Sequence, residues 1–294
     1  MSATTLFTAC VLIWGTTWYA ITIQLAATSP AVGVALRFSL AAALILAWCA
    51  TRGAGLRLPR AAHRWVALMG LTNFFVSYLL VYYAERHIVS GLVAVGYSAM
   101  PLLNMALMRL FFGTSMSRRV GLGGVLGVSG IGLIFWPEIA RLESGTPLAV
   151  GATLTACAVL TSGLANMVVA RNQAAGIDGW AALGWAMAYG ALGTWSFVAL
   201  SGEAVRIAWS WPFVASWFYL AGLGSALAFG AYFALLRKVG PARSAYVGVM
   251  STVIALFVST ALEGYGWNAA TALGIALAVT GNVFALHRSV ESRA

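Results

Sequence analysis

Charge is scarce in this sequence. Only 8% of its 294 residues are Asp, Glu, Lys or Arg, whereas a soluble domain of that length keeps about a quarter of its residues charged to face water. A water-facing globular surface is therefore excluded. Acidic residues number just 7, and none falls in the middle of an apolar stretch. That argues against cation–proton exchange built on an embedded carboxylate. The three cysteines, Cys10, Cys49 and Cys157, lie inside apolar runs and form neither a disulfide framework nor a metal spacing. No phosphate-binding glycine loop is present. The three histidines, His63, His87 and His287, sit at the ends of apolar runs. No Ser–His pair, aspartate pair or His-Glu-x-x-His set is available for catalysis inside a bilayer. No catalytic residue, metal or cofactor is expected.

What is there is apolar: 61% of the residues are hydrophobic. A helix crossing the hydrocarbon needs about 20 mostly apolar residues. Stretches of that order recur at 4–24, 31–50, 65–84, 88–112, 119–137, 148–170, 179–200, 212–235, 243–263 and 268–287. The reading is an all-α, polytopic membrane protein of ten transmembrane helices. Pro30, Pro59, Pro147, Pro212 and Pro241 fall in breaks or at span starts, where a missing N–H does no harm. Only Pro101 lies mid-span. The first stretch has no Lys or Arg before it and no cleavage pattern, so it reads as a retained helix rather than a signal peptide.

The net charge of +10 does not imply nucleic acid, because the basic residues sit in short breaks between spans. With a cytoplasmic N-terminus, only Arg86, Arg141 and Arg206 of the 17 basic residues lie outside and Arg37 lies within a span, while the others lie inside. Cytoplasmic loops collect Lys and Arg, so both termini are expected in the cytoplasm and the chain in a bacterial inner membrane. The lipid bilayer and a small-molecule substrate are its expected partners, with no obligate protein partner.

The halves echo each other. Thr8-Ala9-Cys10 recurs as Thr155-Ala156-Cys157, Tyr82-Tyr83-Ala84 as Tyr232-Phe233-Ala234, and Ser129-Gly130 as Thr280-Gly281, at offsets near half the chain. A repeat of five spans must be inverted in the membrane, so 1–140 and 148–288 are expected as inverted five-helix units.

The spans also carry recognisable words. Trp14-Gly15-Thr16-Thr17-Trp18, Leu36-Arg37-Phe38, mid-span Pro101 followed by Phe111-Phe112-Gly113, Gly240-Pro241-Ala242-Arg243-Ser244-Ala245 opening the ninth span, and Leu262-Glu263-Gly264 closing it stand in order along the chain. Together they resemble the ten-helix, EamA-type branch of the drug/metabolite transporter superfamily. Phe75-Val76-Ser77-Tyr78 and the aromatic loading of the first, third and fourth spans resemble the YddG-type aromatic amino-acid exporters. The resemblance implies export of small organic solutes, amino acids or related metabolites, by alternating access. The first, third, fourth, sixth, eighth and ninth helices would line the cavity. Two departures stand out: Gly113-Thr114 replaces the family's Gly-Glu, and Ser251-Thr252 replaces its second mid-span proline.

Candidate site residues follow. Pro101 clashes with the carbonyl of Tyr97 and must kink or open its helix. Such a carbonyl is tolerated only within protein or beside a watery cavity, and Tyr97 and Asn104 flank it. Tyr78 and Tyr82 share one helix face, as do Trp14 and Trp18. These rings suit a pocket for an amphiphilic or aromatic solute, or plain helix packing. Asn104 and Asn166 must find hydrogen bonds, from substrate or from a neighbouring helix. Tyr232 joins them as the repeat mate of Tyr82. Gly91 and Pro101 are the expected flexing points. Arg37 lies about six residues, roughly 9 Å, from its outer end, a depth from which a guanidinium can snorkel, form a structural bond or meet a substrate carboxylate. With no carboxylate embedded for proton coupling, a facilitator is the simplest mechanism left.

Overall fold

The computed structural model describes residues 1–53, 55–114, 118–139, 146–177, 179–244 and 246–286. Ten helical spans follow one another: α1 (Ala3–Leu25), α2 (Pro30–Thr51), α3 (Arg60–Ala84), α4 (Ser90–Phe112), α5 (Arg118–Ile139), α6 (Pro147–Ala174), α7 (Trp180–Ser201), α8 (Trp211–Phe218, continuing through Ala228–Ser244), α9 (Tyr246–Leu262) and α10 (Ala269–Leu286). Among the described residues, seven are long and apolar enough to cross a bilayer, and three shorter apolar helices lie in α5, α9 and α10. The chain is thus an all-helical polytopic membrane protein.

Helix ends follow simple chemistry. Ser29 and Thr146 accept the N–H of Val32 and Ala149, each just ahead of a proline in the first turn, and Ser210 accepts that of Phe213. Glycines in the left-handed region, Gly53, Gly113, Gly176, Gly202 and Gly264, follow the ends of five spans. One end differs from expectation. Gly240 and Pro241 do not open α9; the eighth helix runs through them to Ser244. Proline removes a single donor there without stopping the helix.

Three spans depart from regular α-helix. Residues Gly70–Ser77 of α3 and Tyr219–Leu227 of α8 are π-helical, at matching places in the two halves. α4 breaks at Ser98-Ala99 into Ser90–Tyr97 and Met100–Phe112, next to Pro101 as the sequence demands.

The packing has a regular pattern. α5 lies on α10, α2 on α7 and α4 on α9; α1 packs on α9 and α8, α6 on α4 and α3, α3 on α7 and α8 on α2. Exchanging each span for the one five places away leaves this set unchanged. The α5–α10 seam is set by glycine. A Cβ on Gly130 would lie 2.5 Å from the Gly274 carbonyl oxygen, and one on Gly281 would lie 2.6 Å from that of Gly123. Small residues let backbones approach, which is the main route to helix association in lipid.

Gly130→Ala should therefore force α5 and α10 apart, destabilising the protein by about 1–3 kcal/mol and lowering its melting temperature in detergent. Gly132→Ala, on the same helix with open space around it, should leave melting unchanged or slightly raised. Equal behaviour of the two variants would contradict this account of the seam.

Candidate functional site

Four of the predicted aromatic residues gather in two groups along α1. In the first, the Trp14 ring lies 5.2 Å from Tyr232 and 5.3 Å from Phe229 of α8. Its Nε1–H donates to the Gly224 carbonyl at 3.2 Å, inside the π-helical stretch where the regular ladder is interrupted. In the second, the Trp18 ring lies 5.2 Å from Tyr97 of α4. The Tyr97 hydroxyl is within 3.1 Å of Ser77 Oγ on α3 and 3.0 Å of Ser162 Oγ on α6, and the two serines also hydrogen-bond each other. Four helices thus meet at a hydroxyl trio beside the α4 break. Both Trp rings and Tyr97 are only partly buried.

One turn beyond that break, Asn166 Nδ2 donates to Asn104 Oδ1 at 3.2 Å and lies 3.6 Å from Met100 Sδ. The two predicted amides therefore hydrogen-bond each other between α4 and α6. The break itself is sealed from the side: Thr252 of α9 donates to the Ala94 carbonyl at 3.0 Å. The Thr252 hydroxyl thus closes a gap in the partner helix.

Tyr78 and Tyr82 share a face as expected, and that face holds Arg37. The guanidinium lies 4.7 Å from the Tyr78 ring centroid and 5.4 Å from that of Phe38. Its Nε–H donates to Ser225 Oγ of α8 at 3.0 Å. Arg37 is 1% exposed, so it does not snorkel. Depth along the helix would permit snorkelling, but α2 turns this residue toward protein rather than toward lipid. A cation over aromatic faces is stabilised by their quadrupoles, more so when desolvated. Beside it, fully buried Tyr82 donates to Gln24 Oε1 at 2.7 Å. Arg37 Nη1 and Gln24 Nε2 have no partner among the described residues. Tyr82 and Tyr232, paired as repeat mates in the sequence, have unlike surroundings: one bonds Gln24, the other packs on Trp14.

At the end of the molecule carrying the 85–89 turn, two links close spans together. Ala208 N–H donates to the Ala27 carbonyl at 2.8 Å and Thr28 Oγ1 to that of Arg206 at 2.9 Å, joining the α1–α2 and α7–α8 connections. The other link holds α4 on α9. Ser90 donates its N–H to Glu263 Oε1 at 3.2 Å and its hydroxyl to Oε2 at 2.5 Å. Ser259 donates to that same oxygen. Gly91 N–H donates to Ser259 Oγ at 2.8 Å, and a Cβ on Gly91 would stand 2.7 Å from it. The predicted hinge glycine thus sits where α4 abuts α9.

Glu85, in the turn after α3, is 8% exposed and neither carboxyl oxygen has a partner among the described residues. Burial pushes its carboxyl well above the usual carboxylate range; Glu263 pushes the same way and Arg37 opposes. Glu85 lies just past the end of α3, so no described carboxylate stands mid-span. Ser77, Ser162, Ser225, Ser259 and Gln24 were not foreseen, since small polar residues are common in membrane helices.

Comparison with known proteins agrees with this architecture. Residues 1–136 match the EamA-like transporter family. The chain is 27% identical over 275 residues to the uncharacterized inner membrane transporter YedA of Escherichia coli K12, covering 86% of this chain and 80% of YedA. It is 25% identical over 285 residues to the protein PecM of Dickeya dadantii, covering 96% and 91%. A solved crystal structure superposes with a TM-score of 0.69 at 20% identity, covering 100% of this chain and 99% of that one. With this fold over its whole length, the chain is a multi-pass membrane protein whose residues 1–136 are similar to the EamA-like transporter family.

Proposed function

We propose that this protein exports small organic solutes, aromatic and neutral amino acids foremost, across the bacterial cytoplasmic membrane. The observation that carries the solute class is the Trp18–Tyr97 ring pair set against the Ser77–Ser162–Tyr97 hydroxyl trio. Aromatic faces with adjacent hydroxyls suit a solute that is apolar at one end and hydrogen-bonding at the other. The likeness to YddG-type exporters in Phe75-Val76-Ser77-Tyr78 supports the same class. The inner-membrane setting is supported by the relative YedA, described as an inner membrane transporter.

Transport would proceed by alternating access between two inverted repeats, 1–140 and 148–288. The supporting observation is the packing set that survives exchange of spans five apart. Pro101 would supply flexing, since α4 is already divided beside it. Gly91 would supply the second flexing point, at the α4–α9 contact.

Counterflow in liposomes tests the substrate. With unlabelled phenylalanine inside, labelled phenylalanine should accumulate, and Trp18→Ala should slow this about tenfold, equivalent to a ring contact of about 1.4 kcal/mol. No counterflow with phenylalanine or with a panel of other amino acids would sink the amino-acid reading. Counterflow with an unrelated metabolite would move the assignment to another solute of the superfamily.

Pro101→Ala should let the α4 break heal, restoring a donor whose absence costs a helix interior about 3 kcal/mol. Melting temperature should rise while the exchange rate falls; faster exchange would remove Pro101 from the flexing role. For orientation, a C-terminal fluorescent protein that matures only in the cytoplasm should be bright on cells. A dark fusion with full-length protein in the membrane would reverse the assigned orientation.

A further inference from the structure

Glu85 and Glu263 are two carboxylates near the place where α4 docks on α9, and their surroundings differ. Glu263 accepts from Ser90 N–H, the Ser90 hydroxyl and the Ser259 hydroxyl. Two of those donors belong to the first residue of α4, so the carboxylate sits at a helix N-terminus, where a negative charge is stabilised. Glu85 accepts nothing, is 92% removed from solvent, and has both oxygens unpartnered among the described residues. A buried carboxyl without donors cannot hold its charge at ordinary cost. The groups whose charge bears on it are Glu263 after α9, Arg37 on α2 and Tyr82 on its own helix. Arg37 is the one cation among them. It is already occupied by Ser225 and the Tyr78 ring, and it makes no ion pair with Glu85 among the described residues.

We propose that Glu85 and Glu263 form a proton-holding pair at this clasp: Glu85 carries a proton while α4 is docked on α9, and undocking returns that proton to water. The proposal rests on reading the chain as an alternating-access carrier. It gives the closing of one face a proton stoichiometry that carriers without an embedded carboxylate lack. The step is an acid–base exchange only. Docking removes Glu85 from solvent and brings Glu263 to its serine donors. Two ionised carboxylates sharing that space would repel, so one binds a proton. The donor-rich member keeps its charge, and the donor-free member takes the proton.

The sign of the pH dependence follows. Glu85 binds protons more tightly in the docked state than in the undocked state, where water solvates it. Docking is therefore favoured as pH falls through the docked-state pKa toward the undocked one, and lost as pH rises. One proton changes the undocked-to-docked ratio by at most about tenfold per pH unit. The burial-driven upward displacement of Glu85 agrees with this direction.

Distances between spin labels read the clasp directly. Labels at His87→Cys and Gly266→Cys, both exposed and on the two connections concerned, are placed in a Cys10→Ala/Cys49→Ala/Cys157→Ala background in lipid nanodiscs. The expected native result is a short distance at acidic pH and a growing longer population as pH rises, by up to about tenfold per pH unit. Glu85→Gln should stay short at every pH. Glu263→Gln, lacking the charged acceptor and its repulsion, should favour the longer distance and move the titration midpoint to lower pH. Should Glu85→Gln fail to purify folded, Glu85→Asp takes its place and must move the midpoint. A native distribution independent of pH, docking that weakens as pH falls, or an unchanged titration in the Glu85 variant would each overturn the proposal. No solute enters this measurement, so its failure is distinct from failure of the amino-acid reading.

Discussion

Inside hydrocarbon no water is available to take up a stray backbone hydrogen bond, and the architecture follows from that requirement. Each unsatisfied N–H or carbonyl costs several kcal/mol, so only closed ladders face lipid. The chain breaks its ladder in three described places, each against protein. The π-helical stretch of α3 is covered by α7, where a Cβ on Gly70 would lie 2.2 Å from the Ala186 carbonyl oxygen. The π-helical stretch of α8 offers its Gly224 carbonyl to Trp14. The gap in α4 has its Ala94 carbonyl capped by Thr252. The irregularities in α8 and α4 each recruit a polar side chain from another span, so polar and aromatic groups concentrate around these helices.

That concentration explains how so apolar a chain affords Arg37. Guanidinium is more weakly hydrated than ammonium and stacks on rings, so the Tyr78 and Phe38 faces with one serine bond replace part of its lost water. Lysine would lose the planar stacking. The charge thus steadies α2 against α3 and α8.

Much of the fold was legible because long apolar runs leave a helix no alternative in lipid. Expected ends at 31, 84, 112 and 200 fall within a residue of those found, each marked by serine–proline, a charged pair or a glycine. The α8–α9 boundary was misplaced because Gly240-Pro241 is a strong break signal in general, yet a helix can carry one missing donor. The π-helical stretches had no signal, since their residues are ordinary helix formers. For the site, residue type and spacing placed Tyr78 with Tyr82 on one face and pointed to the α4 kink. They could not say what would face them. Asn104 and Asn166 were each visible as amides needing a partner, but not as each other's partner. The burial of Glu85 had no sequence signal, because a short turn between spans normally faces water.

The division of α4 has a consequence for movement. Its first part, Ser90–Tyr97, lies against α9, α6 and α1, while its second part, Met100–Phe112, rests on α6 and α5. A single rigid helix could leave α9 only by dragging all of these contacts with it. With the ladder already open at Ser98-Ala99, the first part can swing on its own, at the expense of the Ser90 and Gly91 bonds to α9 and the Thr252 cap on Ala94. Those bonds come from the small hydroxyls of Ser90, Ser259 and Thr252, exchangeable for water once the face opens, whereas the α5–α10 seam is glycine-tight backbone contact with nothing to exchange. The structure therefore separates a seam that resists opening from a clasp that can open. The clasp is the one that carries the carboxylates.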